Sequence, residues 1–287
     1  MATVLAEPGL LAGHDVLIHS AAVRHRHGVG AAEYRASNVD LVASLLEACS
    51  GRVKRFVLVS SVGVYGFPRA LPISETHPFA PRTLYSVTKV EAELLLRRRA
   101  PEVGVELVIV RPTIIYGKGD RNGMLDKMAT MIGAGRYRIV GDGRNTLHHT
   151  HVSDTVRGVL TAATSPEAAG EDFILAGPET ITLGALSQLV AEAVGKPLPE
   201  ITVPLGFARA VATVFDVLSY RGIVFGEREP PINSEKMDVM ACAIAFDASK
   251  AKRVLGWCGT VSYAAGIART LEGLGSDKVA VAMPSVR

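Results

Sequence analysis

The segment Arg55-Phe56-Val57-Leu58-Val59-Ser60 decides the fold class of this chain. A short apolar run that ends at small polar residues is typical of a strand buried inside a parallel sheet. Similar runs occur at 14–19 and 106–111, and the spacing of apolar residues between the runs indicates helices at 31–49 and 84–98. The alternation of strand and helix predicts a doubly wound α/β sheet.

The pattern of the second half of the chain predicts a second, smaller structural unit. We expect residues 1–170 to form the α/β unit, with a further strand within 171–180, and residues 181–272 to form mainly a C-terminal substrate lobe that starts with a helix at 182–194. The apolar stretch 204–220 contains Arg209 and Asp216 and is too short for a membrane span, so we interpret it as an amphipathic helix that lines a pocket. Residues 273–287 show little periodicity and are expected to be a loose tail.

Composition excludes several classes of protein. The 287 residues carry 31 basic and 28 acidic side chains, a net charge of +3 that is too balanced to indicate a nucleic-acid partner. The three cysteines, Cys49, Cys242 and Cys258, are widely spaced and form no CxxC pair, which favours a reduced cytoplasmic protein without a metal site. We therefore expect a small-molecule substrate, with no nucleic acid and no membrane span.

A tyrosine, a lysine and a serine form the candidate catalytic group. Tyr85 and Lys89 lie four residues apart on a predicted helix, so their side chains share one face. A tyrosine with a pKa of about 10 is a poor base, but a neighbouring ammonium lowers that pKa. Ser61, after the predicted strand, can hold a substrate oxygen. The group suits proton transfer at a secondary alcohol or ketone, with hydride exchanged with a nicotinamide; alternatively, the spacing is a chance surface pair.

Further short motifs accompany this group in a fixed order. They are His19-Ser20-Ala21-Ala22, Asn38-Val39, Ser60-Ser61-Val62-Gly63-Val64-Tyr65-Gly66, Tyr85-Ser86-Val87-Thr88-Lys89, Arg111-Pro112-Thr113-Ile114-Ile115-Tyr116-Gly117, His151-Val152-Ser153-Asp154 and Asp247-Ala248-Ser249-Lys250-Ala251. Over about residues 13–270 the chain resembles the extended short-chain dehydrogenase/reductase (NAD-dependent epimerase/dehydratase) superfamily.

The resemblance implies a Rossmann-like cofactor domain and a role for each site residue. Tyr85 would be the general acid/base, Ser61 would orient the substrate oxygen, and Lys89 would also hold the nicotinamide ribose of NAD or NADP. Ala21 and Pro112 would line the cofactor, and a homodimer formed through the helix of Tyr85 is possible.

The choice of branch within the superfamily depends on two departures. Ile114 and Leu147 stand where the nucleotide-sugar branch has an asparagine and an arginine, although Arg144 is close enough to compensate. The chain therefore resembles more closely the hydroxysteroid dehydrogenase and dihydroflavonol-reductase-like branch, which implies an apolar substrate. A nucleotide-sugar epimerase or dehydratase is the alternative.

The glycine-rich turn that holds the pyrophosphate in a Rossmann fold is not recognisable. The resemblance begins at the family's fourth strand, and three glycine groups, 28–30, 117–123 and 141–143, are interpreted as ordinary turns. A sheet that lacks its first strands would leave 16–18 as a bare apolar edge. We prefer a start codon assigned too late or a fragment, and the other hypothesis is a non-catalytic remnant that binds no dinucleotide.

Overall fold

A parallel sheet forms the centre of the protein. The computed structural model describes residues 5–24, 29–68, 70–120, 123–199, 201–220, 237 and 242–272. The strands are β1 (Val16–His19), β2 (Arg55–Val59), β3 (Glu106–Pro112), β4 (Ile114–Tyr116), β5 (Ile139–Val140), β6 (Thr146–Leu147), β7 (His149–His151), β8 (Asp172–Leu175), β9 (Ile181–Thr182) and β10 (Thr202–Val203).

The four longer strands pair in the order β1-β2-β3-β8, and every pair among them is parallel. This arrangement confirms the predicted α/β sheet and its strands at 14–19, 55–60 and 106–111. Within the described residues, β1 has a partner on one side only, so the predicted open edge is present.

Helices cover both faces of this sheet. They are α1 (Ala31–Arg35), α2 (Leu41–Cys49), α3 (Leu84–Glu102), α4 (Met124–Gly133), α5 (Val152–Thr164), α6 (Leu183–Val194), α7 (Leu205–Tyr220), α8 (Ser249–Leu255) and α9 (Tyr263–Leu271). The helix predicted at 31–49 is interrupted, because Ala36–Asp40 forms a π-helical turn between α1 and α2.

The alternation of side chains along β2 explains why both faces are covered. Phe56 and Leu58 are buried in the layer formed by α2 and α3, whereas Val57 is buried on the opposite face with Val159 of α5. Successive strand residues point to opposite faces, so an uninterrupted apolar strand requires helices on both sides. The doubly wound architecture follows from this pattern.

A second core lies outside the sheet and is shared by α4, α6 and α9. Its buried members include Ile132, Leu186 and Ile267. Trp257, in contrast, packs back onto the sheet beside α5. The domain boundaries given above remain predictions, and the tail at 273–287 lies outside the described residues.

Candidate active site

Ser61 lies two residues after the end of β2, at the carboxyl edge of the sheet. It is the N-cap of a short 3₁₀ turn, Val62–Tyr65, and its Oγ accepts a hydrogen bond from the Gly63 amide at 3.1 Å. A Cβ at Gly63 would approach Ser61 Oγ to 3.3 Å, so the glycine leaves room for the hydroxyl. The turn therefore fixes the direction of the Ser61 side chain.

Tyr85 and Lys89 lie in the first turns of α3. This helix begins after Thr83, whose hydroxyl accepts a hydrogen bond from the Ser86 amide in a capping box. Lys89 Nζ is 5.9 Å from the centre of the Tyr85 ring, and it donates a hydrogen bond to the Val59 carbonyl at 2.8 Å. The structure thus brings the three predicted catalytic residues together where β2 ends.

The pKa of Tyr85 departs from our prediction. Burial raises the pKa of this phenol above its usual value, while the charge of Arg24 and a hydrogen bond from Ser61 lower it by a smaller amount. We expected Lys89 to lower the pKa of Tyr85. The net shift of this pKa is upward, so the expectation is wrong. The sequence shows the spacing of Tyr85 and Lys89, but it does not show that tertiary packing partly removes the phenol from water.

Lys89 is itself perturbed by burial. Removal from water lowers the pKa of its ammonium group to about 8, and the charge of Glu93 opposes this shift. The ammonium form still dominates at neutral pH. Lys89 therefore holds a positive charge in an almost completely buried position beside Tyr85.

Two further polar side chains lie where β1 and β2 end. Among the residues that the structure describes, His19 Nε2 and Ser60 Oγ are buried and have no hydrogen-bond partner. Burial, and next the charge of Lys89, lowers the pKa of His19 to about 4, so its imidazole is neutral at physiological pH. Buried polar atoms are normally satisfied. These two atoms and the remaining Nζ–H groups of Lys89 therefore fit the hydroxyls of a ribose.

The other predicted cofactor residues lie at the same edge of the sheet. Ala21 is exposed in the segment after β1, and Pro112 is the buried last residue of β3. Ligands of open α/β sheets bind outside the carboxyl ends of the strands. The nicotinamide–ribose end of a dinucleotide therefore has residues that fit it.

The three glycine groups that we interpreted as ordinary turns show no anion site in the described residues. Gly123 precedes α4, but a Cβ there would collide with the Asp120 carboxylate, which already lies at that helix N-terminus. Gly143 forms a turn in which its carbonyl accepts a hydrogen bond from the Gly184 amide at 2.8 Å. Gly30 caps the five-residue helix α1, and its companion Gly28 lies outside the described residues.

Asn38 is a positioning residue whose role the sequence did not reveal. Its side chain accepts a hydrogen bond from the Val23 amide at 2.8 Å and donates to the Val23 carbonyl at 3.0 Å and to Thr88 Oγ1 at 3.1 Å. It therefore ties the segment after β1 to the helix that carries Tyr85 and Lys89. The Asn38-Val39 motif singled out this residue without giving it a role, and the structure adds that it lies in a π-helical turn, a feature frequent at functional sites.

A buried ionic network fixes the same helix to the sheet. Arg111 of β3 donates from Nη2 to Glu93 of α3 at 2.6 Å and from Nη1 to the Tyr65 hydroxyl at 2.6 Å, and it also pairs with Asp172. Arg111 and Glu93 are completely buried. Because Glu93 lies one turn after Lys89, this network sets the position of the face of α3 that carries Tyr85 and Lys89.

The histidines near β7 take part in local hydrogen bonds. His148 bonds to Gly177, His149 to Tyr263 and His151 to Ser153. In the part of the chain that the structure describes, no three His, Cys, Asp or Glu side chains come together as a metal site requires. None of the described helices combines the length and the apolar character needed to cross a membrane.

Comparison with known proteins establishes the family. Residues 9–176 match the model of the NAD dependent epimerase/dehydratase family, and the chain belongs to that family. The members that it resembles are enzymes.

Two relatives show which kinds of enzyme the chain resembles. The chain is 28% identical over 275 residues to an Arabidopsis thaliana 3beta-hydroxysteroid-dehydrogenase/decarboxylase, covering 91% of this chain but 62% of that protein. It is 30% identical over 261 residues to the 4-hydroxy-2-methyl-3-oxo-4-farnesyl-3,4-dihydroquinoline-1-oxide ketoreductase of Stigmatella aurantiaca, covering 90% of this chain and 76% of that one.

The fold has a close counterpart among solved structures. UDP-glucuronic acid 4-epimerase from Bacillus cereus, in complex with NAD, is similar with a TM-score of 0.73 and 22% identity. The match covers 92% of this chain and 74% of the epimerase. At this identity the likeness concerns the fold alone.

Proposed function

We propose that the protein is an NAD(P)-dependent oxidoreductase that acts on a secondary alcohol or ketone of an apolar, steroid- or flavonoid-like substrate. The observation that carries the proposal is the meeting of Ser61, Tyr85 and Lys89 at the carboxyl end of β2. The hydroxyl, the phenol and the ammonium have the chemistry that proton transfer to a carbonyl oxygen requires.

Each side chain has a distinct role in this proposal. Ser61 donates a hydrogen bond to the substrate oxygen, and Tyr85 gives a proton to that oxygen in ketone reduction or removes it in alcohol oxidation. The charge of Lys89 stabilises the phenolate that forms when the proton leaves Tyr85. A bound nicotinamide supplies or accepts the hydride at the substrate carbon.

The surface beside the site favours an apolar substrate. Ile114 and Ile115 of β4 are exposed just beyond the end of β3. Leu147, which stands where a nucleotide-sugar enzyme would have an arginine, is buried in the second core and is not available to a diphosphate. The names of the Arabidopsis and Stigmatella relatives describe a steroid and a farnesyl-bearing substrate, which is consistent with this choice.

Helix α7 also presents apolar surface. Phe207, Val214 and Val217 are exposed, while Ala208 and Ala212 pack inward beside Val203. We propose that the exposed face contacts the apolar substrate. The expectation that this helix lines a pocket stays a prediction.

A nucleotide-sugar epimerase or dehydratase is the second candidate. The exposed side chain of Arg144 favours it, since an arginine close to β6 could reach a diphosphate. Both candidates use the same three catalytic residues. They differ in the ligand that is bound, because only the sugar candidate predicts that the protein binds a nucleoside diphosphate when no other substrate is present.

Turnover and binding assays distinguish these functions. Purified protein is incubated with 3-hydroxysteroids and oxidised NAD or NADP, or with flavanonols and NADH or NADPH, and the formation or consumption of reduced cofactor is followed by its absorbance. The Tyr85→Phe variant should lose at least about 100-fold in rate, because it can neither donate nor accept the proton. Tyr137→Phe serves as the control, because it removes a hydroxyl that hydrogen-bonds to Ser187, away from the proposed catalytic group.

Unchanged turnover in Tyr85→Phe would refute the catalytic assignment. Saturable binding of UDP by calorimetry, with no steroid turnover, would favour the sugar candidate. A folded protein that binds neither NAD nor NADP would support the non-catalytic alternative.

The raised pKa of Tyr85 predicts a pH dependence. Alcohol oxidation requires the phenolate, so its rate should rise with pH as Tyr85 loses its proton. Ketone reduction requires the phenol and should be maintained at neutral pH and decline in alkali. Initial rates measured in both directions check this, and an oxidation rate that falls as pH rises from neutrality would contradict it.

A further inference from the structure

Lys89 occupies a position in which a lysine tends to lose its charge. It is 2% exposed, and its pKa of about 8 lies close to neutrality. Burial of a cation without a nearby anion favours the neutral form. The ammonium form is the one that suits Tyr85, because a neutral amine does not stabilise a phenolate. The site therefore requires a group that keeps the proton on Lys89.

Among the described residues, the groups that reach this site from β1 and β2 carry no negative charge. The Val59 carbonyl of β2, which accepts a hydrogen bond from Lys89, is a neutral acceptor. His19, at the end of β1, is neutral at physiological pH. Arg24, in the segment after β1, acts on Tyr85 as a cation. These elements supply hydrogen bonding and do not compensate the charge of the ammonium group.

Glu93 has the charge and the position to do so. It lies four residues after Lys89 on α3, so the two side chains share one face of the helix. Glu93 is completely buried, and its charge opposes the effect of burial on the pKa of Lys89. An opposite charge about 6 Å away raises the pKa of an ammonium group by on the order of one to two units at the effective dielectric constant of a protein.

The pairing of Glu93 with Arg111 leaves part of this effect intact. Arg111 Nε lies 3.0 and 3.2 Å from the two carboxylate oxygens of Glu93, and Nη2 donates to one of them at 2.6 Å. Arg111 also donates to the Tyr65 hydroxyl and pairs with a second carboxylate, that of Asp172. Because one cation is shared by two anions, Glu93 is not fully compensated, and it is the nearer of the two to Lys89 along α3.

The outer part of the same network lies towards the surface. Asp172 pairs with Arg97 of α3 at 3.2 Å and with Lys250 of α8 at 3.4 Å. Lys250 also pairs with Glu171 at 2.8 Å, and Glu75 is a further partly buried carboxylate that faces this part of the network. The buried ion pair separates these groups from the catalytic lysine, so their charges act on it less strongly.

We propose that Glu93 is a positioning residue of the proposed catalytic group, whose carboxylate keeps Lys89 in the ammonium form beside Tyr85. This inference rests on the proposed function, because only that function requires the charge of Lys89. It goes beyond the fixing of α3 to the sheet, since it assigns to Glu93 an electrostatic effect on a second side chain. Without that carboxylate, Lys89 should lose its proton near or below neutral pH.

The titration of Lys89 tests this inference without cofactor or substrate. Protein labelled with ¹³C at the lysine ε carbons is titrated by NMR, and the Lys89→Met variant identifies the Lys89 signal by its loss. We expect Glu93→Gln to lower the midpoint of the Lys89 titration by about one to two pH units, because burial is then unopposed. Glu91→Gln, on another side of α3 and paired with Arg35, should leave the midpoint unchanged.

A second pair of variants separates charge from packing. Asp172→Asn removes an anion from the same Arg111, but from the outer part of the network, so it should shift the Lys89 midpoint clearly less than Glu93→Gln does. Circular dichroism shows whether each variant is folded. If Glu93→Gln is not folded, Glu93→Gln/Arg111→Gln takes its place, since it leaves neither member of the buried ion pair without its partner, and the same downward shift is expected.

Turnover supplies a readout that a purely structural role would not change in the same way. In ketone reduction, the rate of Glu93→Gln relative to the wild type should be lowest above the shifted Lys89 midpoint and should recover below it. A loss of packing alone would lower the rate at every pH without changing the pH profile.

The outcomes separate this inference from the proposed function. An unchanged Lys89 midpoint in Glu93→Gln, or an equal shift in Asp172→Asn, overturns the inference. If the midpoint falls as expected but the wild type turns over neither steroids nor flavanonols, the effect of Glu93 on Lys89 stands and the proposed function fails. If the wild type is active while the midpoint does not move in Glu93→Gln, the function stands and the inference fails.

Discussion

Replacing Lys89 with methionine should stabilise the fold at neutral pH. The ammonium is almost completely buried, and its pKa is lowered from 10.5 to about 8. At about pH 7 the lysine is charged in both the folded and the unfolded chain, so this difference corresponds to a cost of roughly 3 kcal/mol in the folded state. Methionine has a similar volume and carries no charge.

One hydrogen bond opposes this gain. Lys89 Nζ donates to the Val59 carbonyl at 2.8 Å, and a buried carbonyl that loses its donor costs about 1–3 kcal/mol. We expect Lys89→Met to raise the free energy of unfolding by about 1 kcal/mol near pH 7. The loss of the hydrogen bond does not depend on pH, whereas the charge term does.

The pH dependence is therefore the sharper test. Between about pH 8 and pH 10.5 the unfolded chain holds more protons on Lys89 than the folded chain does. The free energy of unfolding of the wild type therefore increases as pH rises through this range. By about pH 9.5 the cost has fallen from roughly 3 to roughly 1.4 kcal/mol. The free energy of unfolding of Lys89→Met relative to the wild type should therefore fall by about 2 kcal/mol between about pH 7 and about pH 9.5.

Urea unfolding of both proteins at the two pH values measures this difference. Lys127→Met, at an exposed position on α4, is the control and should show no comparable change between the two pH values. A stability difference between wild type and Lys89→Met that stays constant with pH would refute the reasoning, because it would mean that Lys89 is not held charged in a buried site.

Three further changes test the packing around the site. Arg111→Met leaves its buried carboxylate partner without a cation and should lower the free energy of unfolding by about 3–5 kcal/mol, measured in urea. Gly266→Ala would bring a Cβ to 2.8 Å from the ring of Tyr116 and should cost about 1–3 kcal/mol, whereas Gly206→Ala, with open space around it, should be neutral or slightly stabilising. Burial lowers the pKa of His149 from 6.5 to about 3, so stability should fall below about pH 6.5 by up to about 1.4 kcal/mol per pH unit, and His149→Gln should flatten that slope.

The strands of the sheet could be predicted because their signal is local. Residues 56–59 of β2 and 107–110 of β3 are apolar at every position, and an all-apolar strand requires cover on both faces. Tyr85 and Lys89 were likewise predicted to share a face, because four-residue spacing on a helix fixes their relative direction. Both inferences depend on residues close together in the chain.

Properties that depend on distant residues could not be predicted in this way. Asn38 bonds to Thr88, 50 residues away, and this contact accompanies the π-helical turn that interrupts the predicted helix. The pKa of Tyr85 is raised because tertiary packing buries it. A short motif specifies which groups are present, but the amount of water around them is set by the whole fold.

The geometry of the proposed catalytic group and the affinity of the proposed cofactor site therefore depend on different interactions. Lys89 is held in place by the Val59 carbonyl and by a helix fixed through Glu93 and Arg111, all within the described residues. Acceptor oxygens that reach its remaining N–H groups would reduce its burial cost, and the atoms of His19 and Ser60 that have no partner among the described residues fit the same kind of ligand. A ligand with ribose hydroxyls at this position should raise the pKa of Lys89 and increase thermal stability together. For this reason, correct geometry of the three candidate catalytic residues does not by itself imply cofactor affinity.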